Sequence, residues 1–467
     1  MMADRKGMAT LFVLVWFSCA WFGSWEWNPN TATRMYAAIS LVEDGDATID
    51  DYADLTIDKA RFGTHTYLDK APGMTLMALP AVALANALSG DRSTRYARTF
   101  GDEPLGRFLR VRTRLAAATG PALLTAIAAV LLFDLALAIG ATRGAALFAA
   151  LGYALGTPIW GWSTTLFGHA AVAALYVIAI WAGWRATQTA TPPRLAALAG
   201  AALGWAVVVE HQAVLAGSAI GAWIVWRLWH RPGRWPALAA LVAGGIAALL
   251  PLLAYNIVAF GTPFRLGYQG VVGWEGMDRG LFGLTFPSAT VLSEIVFGLR
   301  RGLIWVAPVL VLAPVGLAAL VEERRARDTG VMATAVVVIA LLVNAAYVYW
   351  DGGNSTGPRL AMPMAGVLAL GLAVFWDALE RVGRIMAALL LAVSIAINAA
   401  IAAAEILAPP EFRFPVWDAV LDLRFRQGAL RSVASEWWGW TPWAGFAAWA
   451  ALAVPTIGWL ARRCARA

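Results

Sequence analysis

Apolar runs of about 20 residues, long enough to span a bilayer as an α-helix, recur from one end of the 467-residue chain to the other. In the hydrocarbon core only helices and closed barrels satisfy their own backbone groups. Charged residues make up 14% of the chain, whereas a soluble domain carries about 25%. The sequence therefore predicts an all-α polytopic membrane protein with no large soluble domain.

Twelve of these runs predict transmembrane spans. One further apolar segment, 73–90, is expected to lie on or dip into the outer leaflet, because a crossing there would put every later loop on the wrong side. Tryptophans cluster at the run ends, as an interfacial belt requires. The predicted spans are 8–26, 115–139, 144–165, 170–185, 195–210, 212–228, 236–258, 302–321, 331–350, 361–379, 385–405 and 441–460.

Arginines in the short loops predict the orientation. One alternating set of loops is rich in arginine, while the opposite set carries only Arg359, so the first set is expected in the cytoplasm together with both termini. The net charge of +7 is explained by these loops, and no nucleic-acid partner is predicted. The whole chain, 1–467, is expected to form one domain with membrane lipids around it. Its periplasmic segments would be 27–114, 259–301, 351–360 and 406–440.

A polar, acid-rich stretch follows the first span, between residues 26 and 72. A bilayer span cannot hold such a charge density, so this stretch is predicted to be a long loop outside the membrane. Within it, the spacing of Met35, Ile39 and Val42 predicts an amphipathic membrane-surface helix over 31–43. Its charged residues are Glu26, Glu43, Asp44, Asp46, Asp50, Asp51, Asp54, Asp58, Asp69, Arg34, Lys59, Arg61 and Lys70, with His65 among them.

Other predicted outer loops add a few ionisable side chains. His169, Glu210 and His211 lie at the outer ends of spans, and a glycine-rich turn presents Arg359. Ionisable residues inside apolar runs mark functional sites by default, although a structural pair is an equally good reading for Glu210 and His211. Carboxylates beside cations suit glycosyl transfer from a lipid phosphate: a carboxylate accepts the proton of an acceptor hydroxyl, and cations stabilise the departing phosphate.

Several motifs resemble bacterial GT-C membrane glycosyltransferases, the group related to protein O-mannosyltransferases and the lipid A aminoarabinose transferase. Asn30 and Arg34 match an N-x-x-x-R pattern near the first span. The stretch from Asp58 through Tyr67 to the K-A-P-G at 70–73 matches the next motif. Later GHA, NxxxFGTPFxxGY, RRGLxxxxP and GxxxGPR segments are similar to the same group.

The resemblance implies an inverting hexosyl- or pentosyltransferase that uses a polyprenyl-phosphate-linked sugar on the periplasmic face of a bacterial inner membrane. The acceptor would be a glycan, a lipid or a protein, and no cofactor is expected, although some relatives use a divalent metal. The 30–34 motif carries no acid, so Asp58 is the first choice for the base, followed by Asp50 or Asp51. Donor phosphate-binding candidates are Lys70, Arg34, Arg359 and Arg301; substrate-binding candidates are His169, Glu210, His211, Tyr67 and Tyr268.

Two other functions stay open from the sequence. A flippase or transporter of lipid-linked glycans would place ionisable residues along a mid-membrane path, where only Asp134, Glu210 and Asp377 come near spans. An O-antigen-ligase-like or acyl-transfer enzyme would use His169 or His211 as its base. The sequence specifies neither the sugar nor the acceptor.

Overall fold

The computed structural model describes residues 5–23, 25–188 and 193–466. Apart from one small hairpin, the regular structure of these residues is helical. The α-helices are α1 (Arg5–Trp21), α2 (Pro29–Glu43), α3 (Gly73–Ser89), α4 (Glu103–Thr119), α5 (Pro121–Ala138), α6 (Arg143–Ala154), α7 (Ile159–Trp162), α8 (Gly168–Ala186), α9 (Arg194–Val209), α10 (Ala213–Trp229), α11 (Arg234–Phe260), α12 (Ala289–Val296), α13 (Leu303–Val306), α14 (Ala313–Glu322), α15 (Arg327–Ala346), α16 (Ala365–Asp377), α17 (Arg381–Ala404), α18 (Val433–Trp437) and α19 (Pro442–Ala465). The strands are β1 (Ala60–Phe62) and β2 (His65–Tyr67).

The polytopic all-α architecture predicted from the apolar runs is confirmed. Each of the twelve predicted spans is helical over most of its length. In the described part of the chain, seven helical segments are long and apolar enough to cross a membrane: Glu103–Ala138, Gly168–Ala186, Arg234–Phe260, Arg327–Ala346, Arg359–Asp377, Arg381–Ala404 and Pro442–Ala465. The segments Gly73–Ser89, Arg194–Val209, Ala213–Trp229 and Pro308–Glu322 are shorter apolar helices.

Two predicted spans are interrupted rather than continuous. The 144–165 run breaks between α6 and α7, next to Pro158, and the 302–321 run breaks between α13 and α14, next to Pro308. Proline lacks a backbone N–H and its ring clashes with the preceding turn, so it ends or bends a helix. The length of an apolar run in the sequence does not show where such a break occurs.

Glycines allow the helices to pack closely. A Cβ atom built on Gly200 of α9 would lie 1.8 Å from the carbonyl oxygen of Leu241 in α11, and one on Gly316 of α14 would lie 1.8 Å from the carbonyl oxygen of Gly371 in α16. Small residues at such contacts let backbones approach, which is how helices associate in membranes. These close glycine contacts hold together helices whose ends form the site.

Helix α2 is more deeply enclosed than the sequence predicted. The helix itself is present over 29–43, but all ten residues from Thr31 to Ser40 are buried. It packs against α3 on one side and touches α4, so both its apolar and its polar faces are covered by protein. The predicted helix is therefore present, and protein encloses it on more sides than its one-sided amphipathic pattern indicated.

The predicted outer segments meet at one end of the bundle, called here the cavity end. Ala60 of β1 forms an antiparallel bridge with Val271, which joins the first loop to the 259–301 segment. The backbone N–H of Ser355 donates to the carbonyl of Ala408 at 3.0 Å, which joins the 351–360 loop to the 406–440 segment. Whether this end faces the periplasm stays a prediction.

Candidate active site

A two-stranded hairpin lies between Asp58 and Lys70 in the acidic stretch. Ala60 pairs with Tyr67 and Phe62 with His65, leaving a two-residue loop. Gly63, at the first loop position, has φ +62, a conformation that suits glycine in a tight hairpin turn. Because the strands run antiparallel, the residues that precede and follow the hairpin lie side by side, which brings Lys70 to Asp58.

These residues line a cavity of about 400 Å³ at the cavity end. That volume lies within the range of small-molecule sites. One part of the wall is polar and comes from loops and helix ends: Asp58, Asp69, Lys70, His169, Glu210 and Arg359. The rest is largely apolar and aromatic. Predicted candidates from four separate parts of the chain therefore share one cavity.

Lys70 lies between two carboxylates. Its Nζ is 3.2 Å from Oδ2 of Asp58 and also contacts Oδ2 of Asp69. Burial lowers the pKa of Lys70, but the two carboxylates outweigh it, so the pKa is raised overall and the ammonium stays charged. Burial raises the pKa of Asp69, an effect that Lys70 opposes. Oδ1 of Asp69 is buried without a hydrogen-bond partner.

Arg359 has a different environment. Its guanidinium lies over the ring of Phe167, 4.7 Å from the centroid, and Nε is buried without a hydrogen-bond partner. Among the described residues, no carboxylate forms an ion pair with it. Gly352, with φ +73, passes so close that a Cβ there would lie 2.6 Å from Nε of Arg359. The structure thus holds a cation in the cavity without neutralising it.

Arg301 supports the loop that presents Arg359. It is 1% exposed, and it donates from Nε to the carbonyl of Asp351 at 2.7 Å and from Nη2 to the carbonyl of Gly353 at 2.6 Å. Its donors are therefore used on backbone. The structure places Arg301 behind the cavity wall, as a positioning residue for the 351–360 loop.

Arg34 is likewise buried behind the wall. It is 1% exposed, and its Nη2 donates to Oε1 of Glu210 at 3.0 Å. Glu210 itself faces the cavity. Gly168 lies against this carboxylate, because a Cβ there would be 2.4 Å from Oε1. Arg34 therefore fixes the orientation of Glu210 and does not reach the cavity directly.

Four other predicted residues lie outside the cavity lining. Asp50 holds the hairpin, with Oδ1 accepting from the N–H of Thr66 and Oδ2 bonded to Nδ1 of His65, both at 2.6 Å. Asp51 pairs with Arg98 at 2.8 Å. The remaining two are aromatic supports: Tyr67 packs on Phe62 and Phe260, and His211 lies edge-on to Tyr268, which does line the cavity.

The sequence did not single out several residues that the structure places in the wall. Asp69 was visible within the acidic stretch, and its adjacency to Lys70 was the available signal. The aromatic residues Trp274, Tyr347 and Tyr349 carried no signal, because interfacial tryptophans and tyrosines are common throughout such a chain. Asn28 and Asn354 also line the cavity.

No group of three or more His, Cys, Asp or Glu side chains within the described ranges is placed to hold a metal ion. The carboxylates of the cavity instead contact Lys70 and Arg34. The expectation that no cofactor is needed stays a prediction.

The fold and site together define a multi-pass helical membrane protein with a charged cavity at one end of its bundle. No protein-family model matches the sequence, and no curated protein matches it significantly. Solved structures do match. Apo ArnT from Cupriavidus metallidurans matches with TM-score 0.49 and 15% identity over 99% of this chain and 78% of that one.

Two further matches carry lipid phosphates. ArnT from the same organism bound to undecaprenyl phosphate has TM-score 0.49 and 12% identity over 84% of this chain. This chain spans 64% of that ArnT chain. The archaeal oligosaccharyltransferase AglB from Archaeoglobus fulgidus, in complex with an inhibitory peptide and a dolichol-phosphate, has TM-score 0.46 and 11% identity over 88% of this chain and 57% of that one. At such identities and TM-scores these matches assign neither a family nor a substrate to this chain.

Proposed function

We propose that this protein is an inverting glycosyltransferase that moves a hexose or pentose from a polyprenyl-phosphate donor to an acceptor hydroxyl. The observation that carries the proposal is the unpaired guanidinium of Arg359, which shares a cavity with Asp58 and Lys70. Arg359 is partly buried and its Nε has no hydrogen-bond partner, so an anionic ligand can bind this guanidinium without first breaking an ion pair. Guanidinium groups suit phosphate oxygens particularly well.

The transfer step follows from the three side chains. The acceptor oxygen forms a bond to the anomeric carbon as the bond from that carbon to the phosphate oxygen breaks, and the phosphate leaves with the electron pair. Asp58 accepts the proton of the attacking hydroxyl. Lys70 and Arg359 stabilise the charge that develops on the phosphate. Attack from the face opposite the leaving group inverts the anomeric centre.

Lys70 also controls the two neighbouring carboxylates. In the free protein it neutralises Asp58, which suppresses premature reaction with water. When the donor phosphate enters, it competes for the ammonium and frees the Asp58 carboxylate to act as a base. Asp69, buried beside Lys70, keeps the ammonium charged throughout.

The proposal places the reaction on the periplasmic side of a bacterial inner membrane. Support comes from the arginine-rich loops, which lie at the other end of the bundle and favour a cytoplasmic location. Glycan, lipid and protein acceptors are all compatible with a hydroxyl nucleophile.

The test measures donor turnover. Purified protein is incubated with a panel of polyprenyl-phosphate hexoses and pentoses, with membrane extract as the acceptor source, and release of polyprenyl phosphate is followed. Asp58→Asn is expected to reduce release by about 10²–10⁴-fold. Asp422→Asn, an exposed acid paired with Arg426, is the matched control and should behave as wild type.

Other outcomes distinguish the alternatives. Wild-type turnover by Asp58→Asn would move the base role to another carboxylate. A flippase would carry labelled lipid-linked glycan across a liposome membrane without releasing polyprenyl phosphate, and that result would overturn the proposal. Loss of activity only on changing His169 or His211 would favour the acyl-transfer alternative.

A further inference from the structure

One side of the cavity is a continuous row of aromatic rings, called here the aromatic wall: Tyr347, Tyr349 and Trp274. The ring centroids of Tyr347 and Tyr349 are 6.1 Å apart, and those of Tyr349 and Trp274 are 5.2 Å apart. The hydroxyl oxygen of Tyr349 accepts a hydrogen bond from the N–H of Gly276 at 2.9 Å. This bond fixes the 267–278 segment to the residues that follow α15.

The wall leads towards solvent from the charged cluster of the cavity, which consists of Asp58, Asp69, Lys70, Glu210 and Arg359. Tyr347 shares the cavity lining with this cluster. At its outer end, Trp274 is half-buried and lies between exposed residues. The indole N–H of Trp274 has no hydrogen-bond partner among the described residues. It is therefore a free donor at the mouth of the cavity.

The cavity lining also carries neutral amides. Asn28, Asn30 and Asn354 line the cavity, and Asn354 is exposed. Oδ1 of Asn28 accepts from the N–H groups that begin α2, and Oδ1 of Asn30 accepts from Arg34, so these two amides offer N–H donors, while the carboxamide of Asn354 can both donate and accept. Within the described part of the lining, acids and permanent cations occur only in the charged cluster. The nearby cations Arg300 and Arg301 are already engaged by Asp351 and by backbone carbonyls.

We infer that this rim binds a neutral carbohydrate as the acceptor, an assignment that rests on the proposed function. The C–H bonds on one face of a sugar ring carry slight positive charge and are attracted to the negative face of an aromatic ring. The sugar hydroxyls would bond to the amides of the lining and to the indole N–H. An acceptor seated on Trp274 and Tyr349 extends inward to present one hydroxyl at Asp58.

The charges of the site disfavour an anionic acceptor. The lining holds three carboxylates, Asp58, Asp69 and Glu210, against two permanent cations, Lys70 and Arg359. Both cations are assigned to the donor phosphate. A phosphorylated acceptor would therefore find no further permanent cation among the described lining residues and a net excess of acid there, and like charges in a partly buried site repel.

The experiment separates acceptor binding from donor turnover. Fluorescently labelled full-length protein is applied to an array of neutral, sulfated and phosphorylated glycans and of peptides, and binding to the best ligand is then measured by calorimetry without donor. Neutral oligosaccharides are expected to bind. Trp274→Ala should weaken that binding about tenfold, and Trp274→Phe, which keeps a ring but loses the N–H, should weaken it less.

The experiment includes a control variant, and certain results would contradict the inference. Trp417→Ala removes an exposed tryptophan outside the cavity and should bind as wild type. Trp274→Ala should raise the acceptor KM and leave donor binding unchanged. Binding only to phosphorylated glycans or only to peptides, or binding of neutral glycans that Trp274→Ala does not weaken, would overturn this inference and leave the proposed transfer intact. Neutral-glycan binding without any donor turnover would instead overturn the proposed function and, with it, the role of the bound glycan as an acceptor, while the carbohydrate site itself would stand.

Discussion

The two ends of the helix bundle differ in how their charged side chains are paired. At the end opposite the cavity, Arg227 binds Asp328 at 2.6 Å, and the indole of Trp223 donates to the same carboxylate at 2.9 Å. Asp134 is likewise bonded to both Arg185 and Trp181. At the cavity end, Lys70 contacts two carboxylates and Arg359 contacts none. These two interhelical carboxylates at the far end each have two side-chain partners, whereas the cavity holds a guanidinium with no ion-pair partner among the described residues.

This difference separates structural charges from functional ones. An ion pair such as Arg227–Asp328 joins two helices, and its interaction energy already contributes to the stability of the free protein. An unpaired guanidinium is available to a ligand, and its binding energy appears when the ligand arrives. Removing a side chain from the first kind should affect stability, and removing one from the second should affect turnover.

Arg359→Ala should show the largest effect. Because the guanidinium has no acidic partner, its removal leaves no carboxylate unpaired, and we expect unchanged thermal unfolding. Loss of one group that stabilises developing charge lowers turnover by about 10²–10³-fold. The measurement is polyprenyl phosphate release alongside thermal unfolding in detergent. Arg359→Lys keeps the positive charge but loses the paired N–H donors of the guanidinium, so it should recover part of the activity. If Arg359→Ala lowered the stability and left turnover normal, the comparison of the two ends would be wrong.

Arg227→Ala is expected to act in the opposite way. Breaking a largely buried pair leaves Asp328 uncompensated and destabilises the protein by about 3 kcal/mol. Turnover per folded molecule should not change, because the pair lies at the far end of the bundle. The checks are the thermal midpoint and the kcat of the folded fraction. The double variant Arg227→Ala/Asp328→Asn should regain part of the lost stability.

Gly168→Ala should give an intermediate effect. The new methyl group would overlap the carboxylate of Glu210, which Arg34 holds in place, so the carboxylate must move within the cavity. Misplacement of a site group by about 1 Å can reduce rates by up to about 10²-fold, and we expect a loss of about tenfold. Gly221→Ala, whose methyl group would meet Leu203 at an ordinary 3.7 Å, is the control. Equal rates for both variants would exclude Glu210 from the reaction.

The smallest expected effect is a change in thermal stability with pH that arises from the hairpin. The hydrogen bond that Nδ1 of His65 donates to Asp50 raises the pKa of His65. Burial raises the pKa of Asp50, but the bonds donated by His65 and Thr66 outweigh this effect and lower the pKa overall. A raised histidine pKa contributes stability below the unfolded pKa of about 6.5, and this contribution is lost as pH rises through the folded pKa. His65→Gln should therefore lower the thermal midpoint slightly in mild acid and not at alkaline pH. A difference that is independent of pH would assign the effect to packing.

The architecture and the main site residues were accessible from sequence because they depend on local patterns. Run length predicts spans, and the alternating direction of spans places helix ends such as His169, Glu210 and Arg359 on one side. That placement did not depend on knowing how the helices pack. Asp58 and Lys70 were accessible because a motif links them.

Features that depend on pairing between distant segments were not accessible. The hairpin strands have three residues each, too short to show an alternating pattern, and the sequence predicted only a loop there. The role of Asp50 depends on the backbone of Thr66, which the hairpin brings to it. The aromatic wall combines Trp274 with two tyrosines about seventy positions later, a proximity that only the folded chain reveals.

The bridge between Ala60 and Val271 connects the segment that carries Asp58 to the segment that carries Trp274. The N–H of Val272 donates to the carbonyl of Lys59 at 3.1 Å, so the residue next to Asp58 is bonded to a residue two positions before Trp274. The position of the indole relative to the carboxylate is therefore set by main-chain contacts between the two segments and not by side-chain packing alone.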